Sequence, residues 1–200
     1  PFTNLGNSLN NADTAIIAGN ATLYYQVVVT CTGNTSITSP VLLTVNPALP
    51  QGTYTINSAL LTGGTNYANF AAAKAAMNCG VAGPVIFNVI AGSGPYNEQL
   101  ILGSIAGMSA ANTVTFNGNG ETIAFSSNDN AEKAVIKLRD GDHFRFDNLV
   151  VNADGLGTNG FGFHLINNAD SNIIRNCRIL TQQTSTTTNY GGIIVSASET

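Results

Sequence analysis

One stretch of the chain repeats at a fixed offset, and this repeat limits the possible folds more than any other feature of the sequence. The shift that brings position 138 onto position 166 superposes 138–151, LRDGDHFRFDNLVV, on 166–179, INNADSNIIRNCRI. With an insertion of one residue, 161–170 then meets 190–199. Short apolar runs separated by Gly and Asn turns recur from 81 to the end, which indicates a solenoid whose units pack on their neighbours.

Most of the aligned positions share their chemical character. The pairs are Leu138 with Ile166, Asp142 with Asp170, Phe144 with Asn172, Phe146 with Ile174, Asn148 with Asn176, Leu149 with Cys177, and Val151 with Ile179. Three short strands and three turns per repeat match one coil of a right-handed parallel β-helix, whose inward positions form columns of like residues. We therefore expect an all-β fold in which Cys177 is a core residue. Asn148 and Asn176 are expected to form an asparagine ladder, with each side-chain amide bonded to its equivalent in the next coil.

A single helix signal lies near 66–78, before the first repeats. Thr65 or Asn66 can cap its N-terminus, and Gly80 follows as the stop. The residues that share its apolar face are Phe70, Ala73, Ala76 and Met77. Such a short helix needs a surface to pack on, so we expect it to cover the exposed end of the first coil.

The first part of the chain has a different pattern. Two β-rich runs, 23–30 and 40–45, flank a polar turn that contains Gly33-Asn34, which predicts a hairpin. Two strands alone are only marginally stable, so they should belong to a larger sandwich. The Pro- and Gly-containing segment that follows cannot continue a strand ladder. The predicted division is therefore 1–46 as the end of a β-sandwich, 47–52 as a linker, and 53–200 as an incomplete β-helix.

Composition and charge exclude several classes of partner. The net charge is −4 and the chain has only seven Lys and Arg residues, which argues against nucleic acid and anionic membranes. No apolar run reaches the roughly 18 residues that a membrane-spanning helix needs, so membrane insertion is not expected. The three cysteines, Cys31, Cys79 and Cys177, have no metal-like spacing, and no metal site is predicted.

Several motifs in 52–125 carry a resemblance to a known group of proteins. GTYTIN, GGTNYANF, GVAGPVIFNV, GPYNEQ and NTVTFNGNGETIAF together resemble the N-terminal cap and first coils of β-helix modules in large secreted proteins of the Bacteroidota. The resemblance continues through LRDGDHFRFDNLVV and GFHLINNADSNIIRNCRI, so it covers roughly residues 52–200. The hairpin resembles the last two strands of the Ig-like modules in such proteins, where a cysteine at the position of Cys31 commonly pairs with one on an earlier strand. The resemblance implies secretion to the cell surface by the type IX machinery, an adhesin-like role and no particular reaction.

A charged cluster on the repeat is the best candidate for chemistry. It comprises Arg139, Asp140, Asp142, His143, Arg145 and Asp147. Carbohydrate hydrolysis needs two carboxylates across a groove, and lyase chemistry needs acidic Ca²⁺ ligands and a base. Asp142 and Asp170, however, occupy equivalent turn positions, where an aspartate bonds to its own backbone. The candidate ligand-binding residues are Asp140, Asp142, His143, Arg145 and His164; no catalytic residue is assigned, and Ca²⁺ is the one cofactor left open.

Two further residues have structural interpretations. His164 alternates with Phe163 and Leu165 on a strand, which predicts an outward-facing, solvent-exposed or hydrogen-bonded side chain. Glu98, after GPYN, is expected to bond to backbone near the helix that caps the first coil.

Two functions follow from this pattern. The first is a non-catalytic structural and adhesive module of a secreted bacterial surface protein, with extracellular glycans or other surfaces as partners. The alternative is the N-terminal part of a polysaccharide lyase or glycoside hydrolase of β-helix fold, with its catalytic coils beyond residue 200.

Overall fold

The computed structural model describes residues 23–197, apart from the side chains of Val29, Thr30 and Cys31. The chain divides into two compact units between Pro47 and Ala48.

The first unit contains two antiparallel strand pairs, β1 with β4 and β2 with β3. The strands are β1 (Leu23–Tyr25), β2 (Val28–Cys31), β3 (Asn34–Ile37) and β4 (Val41–Leu43). Thr32 and Gly33 form the turn between β2 and β3, with φ angles of 43° and 85°. A two-residue loop with positive φ at both positions suits the twist of a hairpin, so Asn34 begins the return strand instead of lying in the turn. The turn predicted around Gly33-Asn34 is therefore shorter, and it is followed by a strand that the sequence analysis missed.

The second unit is a β-solenoid of about five turns, built from three parallel sheets. Sheet 1 has the order β6-β5-β7-β10-β13-β16, sheet 2 has β8-β11-β14-β17, and sheet 3 has β9-β12-β15-β18. Its elements are β5 (Gly52–Ile56), β6 (Asn66–Tyr67), α1 (Phe70–Ala76), β7 (Val85–Val89), β8 (Tyr96–Asn97), β9 (Leu100–Leu102), β10 (Val114–Asn117), β11 (Thr122–Ala124), β12 (Ala134–Arg139), β13 (Phe144–Asp147), β14 (Val150–Asn152), β15 (Gly160–Ile166), β16 (Ile173–Arg175), β17 (Arg178–Leu180) and β18 (Tyr190–Ser196). Leu49 already bridges Val81 and Gly52 begins β5, so residues of the segment predicted as a linker take part in the solenoid.

The register predicted from the repeat is confirmed in sheets 1 and 2. Phe146 pairs with Ile174, and Val151 pairs with Ile179. In sheet 3 the prediction was wrong, because Leu138 lies opposite Leu165 and not opposite Ile166. Further along the same sheet, Phe161 lies opposite Gly191, whereas the repeat predicts that it lies opposite Tyr190. The turns that lead into and out of sheet 3 differ in length from coil to coil, and these differences change the offset locally.

A column of aromatic rings runs through the core along sheet 1. Phe116 stacks between Phe87 and Phe146, with ring centroids 5.1 Å and 5.6 Å apart and interplanar angles of 19° and 7°. All three side chains are fully buried. They hold equivalent positions on β7, β10 and β13, so the stack follows directly from the register of the parallel strands. Equivalent inward positions therefore stack as the repeat predicts.

The helix α1 is shorter than predicted and begins later. Its N-cap is Asn69, whose Oδ1 accepts a hydrogen bond from the backbone N–H of Ala72 at 2.8 Å. The predicted cap Asn66 lies instead in β6, where its Oδ1 accepts from the Thr55 hydroxyl at 2.8 Å. Phe70, the first helical residue, is fully buried and packs edge-to-face on the ring of Tyr96. The helix contacts β6 and β9, so it covers the edge of sheet 3 at its first strand.

Glu98 attaches this helix to the coil that follows it. Its two carboxylate oxygens accept hydrogen bonds from the backbone N–H groups of Phe70 and Ala71, each at 2.9 Å. These donors have no partner inside the helix, and a negative charge also suits the positive end of the helix dipole. The expectation that Glu98 bonds to backbone near the cap is confirmed.

We expect Glu98→Gln to lower the free energy of unfolding by about 2 kcal/mol, because two charge-assisted hydrogen bonds become one neutral one. Urea denaturation followed by circular dichroism measures the change. Asp140→Asn is the matched control, since that carboxylate is exposed and should change stability by less than about 0.5 kcal/mol. Equal effects of the two substitutions would contradict the capping role of Glu98.

Candidate functional site

Three of the six members of the charged cluster lie on one turn, between β12 of sheet 3 and β13 of sheet 1. Asp140 and His143 adopt positive φ angles of 55° and 62° there. Asp142 Oδ1 accepts a hydrogen bond of 2.6 Å from the backbone N–H of Asp170, its equivalent in the next coil. The backbone N–H of His143 in turn donates to the Asp170 carbonyl at 3.3 Å. Asp142 and Asp170 do occupy equivalent turns, and Asp142 joins those turns to each other.

Asn172 adds two more links between the same turns. Its Oδ1 accepts from the backbone N–H of Phe144 at 2.9 Å, and its Nδ2 donates to the Gly141 carbonyl at 2.7 Å. Arg145 is separate from this turn network, because it lies on β13 with its side chain exposed on the outer face of sheet 1. The structure thus brings Asp140, Asp142 and His143 together on one turn, and hydrogen bonds join this turn to its equivalent in the next coil.

A polar column runs along the outer face of sheet 1. It consists of Thr55, Asn88, Asn117, Asp147 and Arg175, each opposite the next in adjacent strands. The amide of Asn117 donates to Asn88 Oδ1 at 3.2 Å, which is an asparagine contact of the kind expected for a ladder. Further along, Arg175 donates to Asp147 Oδ2 from Nε at 3.0 Å and from Nη2 at 2.7 Å. The column therefore joins coils through polar side chains.

The two recurring asparagines lie in the turns next to this column. Asn148 and Asn176 have φ angles of 51° and 54°, a left-handed conformation that asparagine tolerates better than most residues. Asn148 is exposed, and the amide of Asn176 donates to Asp147 Oδ1 at 2.9 Å and not to Asn148, so the prediction of a ladder between these two asparagines is wrong. The hydrogen bonds from Asn176 and Arg175 lower the pKa of Asp147 below its usual range.

The lowered pKa of Asp147 predicts a pH-dependent contribution to stability. A carboxyl whose pKa is lower in the folded state stabilises the fold above its unfolded pKa of about 3.9, and this contribution is lost as the pH falls through the folded value. The difference in melting temperature between the wild type and Asp147→Asn should therefore be positive at neutral pH and shrink below about pH 4. Thermal unfolding from pH 7 to pH 2 measures it. A difference that grows on acidification would contradict the interpretation.

Of the two environments expected for His164, solvent exposure is wrong because the side chain is buried, whereas a hydrogen-bonded side chain is what the structure has. It lies on β15 with 2% of its surface exposed, and its Nε2 is 2.8 Å from the hydroxyl oxygen of Ser196 on β18. Its ring also meets the ring of Phe161 edge-to-face. The outward position that alternation gives His164 does not expose its side chain, because β12 and β15 are buried on both faces. His164 lies on β15 opposite Lys137 and is not part of the turn that holds Asp140, Asp142 and His143.

Cys177 is half-buried beside the core and is a free thiol. Burial raises its pKa above the usual value, which favours the neutral thiol.

A buried lysine on sheet 3 was not recognised from the sequence. Lys137, on β12, is fully buried and its ammonium lies 2.8 Å from Glu132 Oε2. The same ammonium donates to the Ala131 carbonyl, and Arg139 reaches Glu132 Oε1 at 3.4 Å. The segment before β12 thus folds back over the outer face of its own strand. In the sequence, Lys137 has the alternating position of an ordinary surface residue.

A groove on the outer face of sheet 2 was also missed. It has a volume of about 380 Å³. Asn97, Ala124 and Asn152, the last residues of β8, β11 and β14, lie opposite one another in register. The small Ala124 side chain between two asparagines leaves a notch in the strand ends, and the turn residues Phe125, Ser126 and Asp154 complete the walls. No single coil contains this pattern, so only the register between coils shows it.

Two stacked turns hold one wall of the groove. The Asn152 Oδ1 accepts from the backbone N–H of Asp154 at 2.9 Å. Nearby, the backbone N–H of Thr158 donates to Asn128 Oδ1 at 2.9 Å, and Ser127 forms a bridge with Asn159. The Gly-rich segment of the sequence at 153–162 therefore packs on the turn of the preceding coil.

Comparisons of the chain with protein-family models, curated proteins and solved structures found no match. Within 23–197, no group of three or more His, Cys, Asp or Glu side chains is arranged to hold a metal ion. The single helix of the same region is too short to cross a membrane.

Proposed function

We propose that this chain is a non-catalytic structural and adhesive module of a secreted bacterial surface protein. In this proposal the solenoid is a stiff display surface for contacts with extracellular glycans. The supporting observation is how the charged side chains are used. Asp142 accepts from the backbone of Asp170, and Asp147 is held by Arg175 and Asn176, so these groups connect one coil to the next.

The same bonds argue against a catalytic role for these two carboxylates. A general acid or nucleophile has to reach its substrate at hydrogen-bond distance with an oxygen available for the reaction. Asp142 Oδ1 and both oxygens of Asp147 instead bind donors from the neighbouring coil. Side chains that join successive repeats stiffen a solenoid, since each repeat contacts only its neighbours.

The handedness of the solenoid, its route of export and its location are part of the proposal and are inferred from the sequence motifs. The resemblance of roughly 52–200 to Bacteroidota β-helix modules supports a right-handed β-helix, export by the type IX machinery and a place at the cell surface. The paired strands of the first unit are compatible with the end of an Ig-like sandwich.

Incubation of the whole chain with insoluble polysaccharides tests this function. We expect the protein to be retained on at least one neutral polysaccharide without release of reducing ends or of unsaturated uronides. Release of either product would contradict the non-catalytic role and favour a glycoside hydrolase or a lyase. Failure to be retained on any polysaccharide would contradict the glycan-binding part.

A further inference from the structure

We propose that the groove on sheet 2, lined by Asn97, Ala124, Phe125, Ser126, Asn152 and Asp154, is the glycan-binding site and that its ligand is a neutral glycan chain. This inference rests on the proposed adhesive function and adds the place and the ligand class. The volume of about 380 Å³ lies within the usual range of ligand sites, about 300–1,000 Å³.

The polar groups of the groove suit sugar hydroxyls. Each hydroxyl can donate one hydrogen bond and accept others, and an asparagine amide offers both functions. Asn97 is exposed at one side of the Ala124 notch, and Asn152 is half-exposed at the other. Because Asn152 Oδ1 already accepts from the Asp154 backbone, the amide is oriented and its N–H groups are the ones that can bind a ligand. Two amides one strand apart on either side of a notch can contact successive parts of one chain.

The apolar part of the groove also fits a sugar ring. Phe125 is half-buried and packs on the solenoid core while lining the groove. Aromatic side chains provide a flat apolar surface, which complements the C–H groups of a pyranose ring. The methyl group of Ala124 forms the adjoining part of this surface. The groove therefore has both apolar surface and hydrogen-bonding groups, which match the C–H groups and the hydroxyls of a glycan.

The charge of the groove selects the class of glycan. Asp154 is the one ionisable side chain among the lining residues, and it is exposed. A polyuronate would bring further carboxylates next to Asp154, and like charges held together at an interface are unfavourable. A neutral glycan has no such penalty, and its hydroxyls can donate to the Asp154 carboxylate. This preference separates the proposed ligand from the polyuronates on which β-helix lyases would act.

The walls are fixed before a ligand arrives. A Cβ at Gly155 would lie 2.3 Å from the Ser126 hydroxyl oxygen, so these two turns are in direct contact. The Asn128 bond to Thr158 and the Ser127–Asn159 bridge hold the same turns together beyond the groove. A preorganised site loses less conformational entropy on binding than a flexible one.

Isothermal titration of the whole chain with soluble oligosaccharides tests the proposal. The neutral probes are oligomers of glucose, mannose, xylose and N-acetylglucosamine, and the anionic probe is an oligogalacturonate. We expect binding to at least one neutral probe and at least tenfold weaker binding of the oligogalacturonate. Ala124→Phe should weaken neutral binding at least tenfold, because it fills the notch from a half-exposed, outward position. Thr115→Phe, at a half-exposed outward position on sheet 1, is the matched control and should change the affinity less than twofold.

Four results would overturn the proposal, and they are distinguishable. Neutral binding that survives Ala124→Phe would refute the groove as the site and leave the adhesive function standing. Tighter binding of the oligogalacturonate than of every neutral probe would refute the ligand class. Absence of binding to all probes, with retention on an insoluble polysaccharide, would again refute the groove proposal alone; absence of both would refute the glycan-binding function as well. Circular dichroism and thermal unfolding verify that each variant is folded.

Discussion

Replacing Phe116 with alanine is expected to lower the free energy of unfolding of the solenoid by about 3–5 kcal/mol. Phe116 is fully buried, and its ring contacts those of Phe87, Phe146 and Phe70. The substitution removes the apolar transfer energy of the ring and leaves a cavity. Since parallel strands fix the spacing of the neighbouring rings, the column has little freedom to close that cavity.

Urea denaturation of Phe116→Ala and of Ile86→Ala measures this effect. Ile86 lies on the same sheet but faces outward and is 39% exposed, so its truncation should cost less than about 1 kcal/mol. A similar loss for the two variants would contradict the inward orientation of the phenylalanine column. An unchanged dependence of the free energy on urea would show that the variants differ in stability and not in the extent of the folded structure.

Breaking the ion pair of Glu132 and Lys137 is expected to cost more stability when Glu132 is replaced than when Lys137 is replaced. Glu132→Gln should lower the free energy of unfolding by about 3 kcal/mol, because it leaves the charge of a fully buried lysine less compensated. Lys137→Met removes the buried charge and keeps the apolar stem, so it should cost less than about 1 kcal/mol. Glu132 is partly exposed in that variant and still has Arg139 beside it.

The double variant Glu132→Gln with Lys137→Met completes the test. Its stability should lie close to that of Lys137→Met, which gives a coupling energy of about 3 kcal/mol between the two positions. Additive losses would contradict a direct interaction between the two side chains. A larger loss for Lys137→Met than for Glu132→Gln would contradict the burial of the lysine.

The periodic part of this fold follows from the sequence, and the irregular part does not. Phe146 and Ile174 face each other as the repeat predicts, because the turns that join sheets 1 and 2 keep the same length in those two coils. Sheet 3 departs from the repeat because its flanking turns differ in length between coils. Leu138 consequently meets Leu165, and a single offset cannot describe all three sheets.

Some features of the candidate site could likewise be predicted from the sequence, and others could not. Glu98 could be assigned to the cap from its motif, and Asp142 to a turn from its repeat position. Alternation along a strand could not show that His164 is buried or that Glu132 folds back on Lys137, because both depend on segments that cover the outer face of sheet 3. The groove at Ala124 depends on side chains from three successive coils, which the sequence places far apart.

A disulfide-trapping experiment tests the parallel register of the solenoid most directly. In a chain with Cys31, Cys79 and Cys177 replaced by alanine, Thr115→Cys combined with Arg145→Cys places two outward cysteines opposite each other on adjacent strands. These strands are about 4.8 Å apart, within the range that a disulfide can bridge. We expect an intramolecular disulfide between 115 and 145 under native conditions. We expect none between cysteines at 115 and 173, which lie two strands apart; a bond there, or no bond at 115–145, would contradict the stacked coils.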